Sequence, residues 1–162
     1  DAVYMPRQKD FEHYNDYVQE TLRQIVSATG HQQRLAREGM VMKNGTAPSE
    51  DAIKRERLVA ELASGVKMLE LGLPARLSEE GLHLTDYWVR ELKENPCLID
   101  AVESDVNNAL LVMRKAEQGE KIEYSTMRNQ RETKELMDQL SKHYLIADEI
   151  KQHPDKDNKT SV

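Results

Sequence analysis

Hydrophobic positions along this chain return every three or four residues rather than every second one. Phe11, Tyr14, Val18, Leu22 and Ile25 share one side of a helix drawn at about 100° per residue, with Glu12, His13, Asp16 and Glu20 opposite. Gly30 marks a stop, the stretch HQQRLAREG adds a turn or two, and MKNGTAPSED gathers turn-forming residues into the clearest loop. Ser49, followed by Glu50 and Asp51, is a good helix start, because its hydroxyl can take a free amide and the acids suit the positive helix end. Leu58, Val59, Leu62, Val66 and Leu69 then share a face until Gly72 and Pro74 end the pattern.

Residues 74–94 are the most ambiguous part of the chain. PARLSEE reads as a short segment leading to Gly81, and Thr85 can cap a helix DYWVRELKE with Trp88, Val89 and Leu92 inward. Asn95-Pro96 is a strong restart, since proline loses no hydrogen bond in a first turn. The following stripe of Leu98, Ile99, Val102, Val106, Ala109, Leu110, Met113 and Ala116 is broad, which predicts a central helix. Gly119 ends it. A last helix runs from about Thr126 to Gln152, with Leu136, Met137, Leu140, Tyr144 and Ala147 inward and charged pairs four apart outside.

The pattern predicts an all-α fold, a helical bundle of four long helices plus one or two short helices around residues 74–94. One helical domain is expected over residues 1–152, with a loop break near 40–49 and a polar tail over 153–162. No strand and no internal repeat is predicted.

Composition supports that reading and narrows the setting. Seven Gly and five Pro in 162 residues is sparse punctuation, and a single Phe and a single Trp leave the core mostly aliphatic. The lone Cys97 has no cysteine to pair with, and it reads as a small packed residue rather than a nucleophile. No apolar run approaches the ~18 residues of a membrane span, and DAVYMPRQKD lacks the basic-then-apolar order of a signal peptide. A cytoplasmic location, with no membrane association, is the expectation. The net charge of −6 is spread along the chain without a basic block, so generic nucleic-acid binding is disfavoured.

Candidate chemistry is thin. Glu80-x-x-His83 is the one carboxylate–histidine pair at helical spacing, and Gly81 interrupts it. Glu12, His13 and Asp16 fall on a polar face, while His143 falls within the apolar arc of the last helix and reads as a core histidine. There is no His-Glu-x-x-His, no cysteine pair, no nucleophile elbow and no phosphate loop. Neither a catalytic set, nor a metal site, nor a cofactor is expected.

Two binding readings remain. The narrow stripes of the first and last helices, and the apolar trio Met40, Val41 and Met42 beside the loop, point to a non-enzymatic protein–protein interaction domain that self-associates or serves as an adaptor. The alternative is a DNA-binding accessory or regulatory protein. In that reading residues 74–94 form a helix-turn-helix, and Arg76, Thr85, Arg90 and Lys93 contact nucleic acid. Asp86, Glu91 and Glu94 on the same segment count against it.

Overall fold

The computed structural model describes the backbone of residues 3–152 and, within that range, all side chains except those at 135 and 143–152. Five α-helices occupy it: α1 (Tyr14–Thr29), α2 (Glu50–Glu70), α3 (Glu79–Glu94), α4 (Cys97–Glu117) and α5 (Tyr124–Gln152). Short 3-10 turns at Gln8–Asp10 and Glu38–Met40 complete the regular structure. No strand occurs among the described residues; the 42–49 loop closes through a lone bridge between Lys43 and Thr46. The chain divides into two compact units, residues 1–127 and 128–162.

Local chemistry sets the helix ends. Ser49 caps α2 by accepting from the Ala52 amide at 3.2 Å, as its sequence context predicts. At the other end Gly72 adopts φ +71°, which lets the Leu73 amide reach back to the Met68 carbonyl at 2.9 Å. Gly119 (φ +67°) ends α4 in the same way, with Glu120 donating to Lys115 at 2.9 Å. Asn95 does not cap α4 with its side chain; its carbonyl accepts from Leu98 instead.

The segment around Gly81 differs from the expectation. Residues 73–78 carry no regular secondary structure, and α3 starts at Glu79 and runs unbroken through Gly81 and Leu84. Ser78, not Thr85, is the cap, accepting from the Gly81 amide at 2.9 Å. Thr85 lies inside the helix and donates to the Gly81 carbonyl at 3.0 Å. Glu79 and Glu80 at the positive end favour this earlier start, and a glycine in a first turn weakens a helix less than one in its middle. There is therefore no turn between two helices here, and no helix-turn-helix.

Within residues 1–127, α2 is the hub. It packs against α1, α3, α4 and the 38–40 turn, while α4 packs on α1, α2 and α3. The core combines Leu22 and Val26 of α1, Leu58, Val59, Ala60, Ala63 and Met68 of α2, Trp88 of α3, and Val102, Val106, Ala109, Leu110 and Met113 of α4. A second small cluster joins Leu35, Val112 and Met127. Of the broad α4 stripe, Val102, Val106, Ala109, Leu110 and Met113 are buried and Leu98 is half-buried, whereas Ile99 and Ala116 at its ends are exposed.

Other faces are turned from where periodicity placed them. On α2, Leu62, Val66 and Leu69 are 44%, 38% and 67% exposed, whereas Ala60, Ala63 and Ser64 face the neighbours. Small residues allow close helix approach, and a helix touched on several sides buries its polar positions too. Tyr14 and Ile25 of α1 also lie outward. On α5, Leu136, Met137 and Leu140 are exposed rather than inward, while the side chains of His143, Tyr144 and Ala147, and the tail 153–162, lie outside the described residues. No helix among the described residues is long and apolar enough to cross a membrane.

Candidate functional site

The chemistry of the first unit is concentrated on the polar side of the α1–α2 contact. Burying a charge is costly unless it is paired and hydrogen-bonded, so the acids found there define the site. Glu56 and Glu61 of α2 are each 6% exposed, and each is claimed by an arginine from outside the helix. Arg37, the most deeply buried cation, holds Glu56 with two parallel bonds of 2.7 Å, Nε to Oε2 and Nη2 to Oε1. Its remaining donors reach the Thr29 hydroxyl and the Val26 carbonyl, both at 2.8 Å, tying the residues after α1 to the end of that helix. Burial pushes the Glu56 carboxyl above the usual range, with the Arg37 guanidinium opposing it and Asp105 adding to it.

Glu61 organises a second cluster. Its Oε2 accepts from Arg23 Nε of α1 at 3.0 Å, and the Ser78 amide lies 3.3 Å from both oxygens. The Ser78 hydroxyl also donates to Oε1. Gly81 lies close beside this group: a Cβ there would fall 2.9 Å from Glu61 Oε1, so a larger residue would press on that carboxylate. One helix cap and one interhelical ion pair thus share a single carboxylate.

The same face of α1 holds a stretch of irregular backbone before α3. Gln19 accepts from the Arg76 amide at 2.9 Å and donates to the Arg76 carbonyl at 2.6 Å, so its amide pairs with both polar groups of one residue. Arg23 adds a second bond to that carbonyl at 2.7 Å. Beside this strap lies an open hollow of about 450 Å³, lined by Glu12, His13, Tyr14, Asp16, Pro74 and Arg76. A smaller hollow of about 180 Å³ opens between α2 and α3 against Tyr87 and Trp88. The Tyr87 hydroxyl there donates to Asp51 at 2.8 Å, and burial together with that carboxylate pushes its pKa up to about 12. The Trp88 indole donates to the Lys54 carbonyl at 3.0 Å.

The residues singled out from sequence do not converge. Arg76 contributes its backbone to the strap, and its side chain is exposed. Thr85, half-buried, is spent on the α3 backbone. Arg90 is exposed near the Tyr87 ring, 5.8 Å from its centroid, and Lys93 is exposed one turn further on. Met40 and Met42 are exposed at 37% and 60%, with Val41 half-buried between them. Sequence reasoning missed Gln19, Arg23, Arg37, Glu56, Glu61 and Ser78. The available signal was two glutamates on the buried side of α2, which aliphatic periodicity alone passes over.

Residues 1–104 match the family MPTase-PolyVal, described as a zincin-like metallopeptidase, and the chain belongs to that family. No curated protein and no solved structure matches the chain. The family overturns the expectation of a non-enzymatic interaction domain and, with it, the regulatory DNA-binding alternative. The matched segment contains α1, α2, α3 and both arginine–glutamate pairs.

Zincins need two histidines four apart on one helix and a glutamate beside the first, with a third ligand from elsewhere. The five histidines of this chain, His13, His31, His83, His143 and His153, include no such pair. Among the described residues no group of three histidine, cysteine, aspartate or glutamate side chains is placed to hold a metal ion. The residues present therefore do not fit a zincin zinc.

Proposed function

We propose that this chain has a peptidase-like function and that polypeptide is the substrate it engages. The observation that carries this reading is the family match over residues 1–104. Geometry supplies a means of engagement. Gln19 and Arg23 already hold the amide and carbonyl of Arg76, the pairing that an extended peptide offers along its length. The adjoining hollow leaves exposed Glu12, His13 and Tyr14, together with Asp16, beside that strap. Two acids against one arginine favour segments that carry lysine or arginine. The protein partner expected from the sequence is, on this reading, a substrate chain.

The cytoplasmic setting is kept as part of the same proposal. It is supported by an exposed Cys97 that has no second cysteine to pair with.

The test uses a fluorescently labelled, unfolded, lysine-rich polypeptide, with binding read by anisotropy and processing read by mass spectrometry of the products. Saturable binding is expected, weakened about fivefold by Glu12→Ala with Asp16→Ala, as two rim charges should do. A chain that neither binds nor shortens the polypeptide overturns the proposal.

A further inference from the structure

We infer that the buried acids of the matched segment are neutralised by built-in arginines instead of a metal, so that this member of a zincin-like family holds no zinc centre of its own. The inference rests on the family membership and concerns the metal, not the substrate class. It starts from the whole sequence. No two of the five histidines are four residues apart, so no helix of the chain can offer the paired imidazoles of a zincin.

Their surroundings agree. His13 stands exposed just before α1 without a side-chain capping bond, His83 is exposed on α3, and His31 Nδ1 lies 3.3 Å from the Gln33 amide just beyond α1.

The carboxylates complete the argument. A zinc ligand has to be a deprotonated oxygen with a lone pair free to face the ion. The two buried glutamates of the matched segment already turn both of their oxygens to partners within the fold. Glu56 gives both oxygens to Arg37, and Glu61 divides its oxygens among Arg23, the Ser78 amide and the Ser78 hydroxyl. A guanidinium is cationic at every accessible pH and matches a carboxylate in plane. It supplies the charge balance a divalent ion would supply, and it repels that ion. The Arg23 side chain is 13% exposed and that of Glu61 4%, so the pair is a built part of the α1–α2 seam and not a surface contact. Polypeptide engagement then needs no zinc, and zinc-dependent hydrolysis would need donors beyond these 162 residues.

The experiment is metal analysis of the full chain purified without chelator, followed by titration with zinc chloride against a chromophoric chelator and by thermal unfolding with and without zinc. The wild-type chain is expected to carry well under about one zinc in ten molecules and to show the same Tm with zinc or chelator. The companion variant Arg23→His with Ser27→His places two imidazoles one turn apart on the α1 face that meets Glu61. It is expected to take up about one zinc per chain and to gain thermal stability with it. Roughly one zinc per wild-type chain that survives dialysis, and is lost in Glu61→Gln, overturns the inference. All three readouts are taken without substrate. A zinc-free chain that fails to bind polypeptide therefore counts against the proposed function alone.

Discussion

Arg23 of α1 and Glu61 of α2 close an ion pair at 3.0 Å with both side chains largely removed from solvent. That carboxylate also receives Ser78, the cap of α3, so one buried acid links three helices. Arg23→Ala leaves the acid with Ser78 alone and should cost about 3–5 kcal/mol, because an uncompensated buried charge is worse than no charge. Arg23→Ala combined with Glu61→Gln should cost less than the two single substitutions added together. Urea unfolding followed through Trp88, the single tryptophan, measures all four corners of the cycle.

Arg37 presents a stronger case of the same relationship, with its side chain 1% exposed and its donors spread over Glu56, Thr29 and Val26. Arg37→Met should destabilise the chain by at least about 3 kcal/mol. Arg37→Met with Glu56→Leu should recover part of that loss by removing both charges. A double variant no more stable than Arg37→Met would show that the pair is not what holds residues 30–40 to α2.

Two glycines should respond in opposite directions. A Cβ at Gly39 would lie 2.5 Å from the Ala52 carbonyl oxygen and 2.6 Å from Glu56 Cβ, so Gly39→Ala forces the 38–40 turn off α2. The expected loss is about 1–3 kcal/mol. Gly65 sits inside α2, where a Cβ would meet only Ala75 Cβ at 3.8 Å, so Gly65→Ala should stabilise by about 0.5–1 kcal/mol. Thermal or urea midpoints of the two variants should fall on either side of wild type.

Acid should loosen the α2–α4 contact. Arg114 and then Lys67 hydrogen-bond Glu70 and hold its carboxyl below the ordinary 4.5. A carboxyl depressed in the fold adds stability above its unfolded pKa, and that stability is lost as pH falls through the folded value. The Glu70 side chain is 30% exposed, so the contribution is at most about 1 kcal/mol after solvent screening. Between pH 6 and pH 3 the wild type should therefore lose slightly more Tm than Glu70→Gln does. Equal losses would place the acid sensitivity elsewhere.

Helices and their ends were legible where the signal is local. Ser49, Gly72 and Gly119 act on amides and carbonyls within a few residues, and each does what its sequence position predicts. The start of α3 was misplaced because Ser78 and Thr85 are both good caps locally. What Gly81 has to fit against, Glu61, is seventeen residues before the Ser78 that binds it. The family was not legible from motifs either, since the histidine pair that identifies a zincin does not occur in the chain.

By itself, then, the sequence determined an all-helical chain, because helix periodicity, caps and stops depend on neighbours three to five residues apart. Which side of each helix is buried was decided only in the tertiary structure. α2 became the hub, so Leu62 and Leu69 turned outward while Glu56, Glu61 and Lys67 turned in. Their partners lie far along the chain: Arg37 is 19 residues from Glu56, Arg23 is 38 from Glu61, and Gln19 is 57 from Arg76. No local periodicity encodes such pairings. They exist because a carboxylate removed from water by close helix packing must find a cation, and the fold brings an arginine to each.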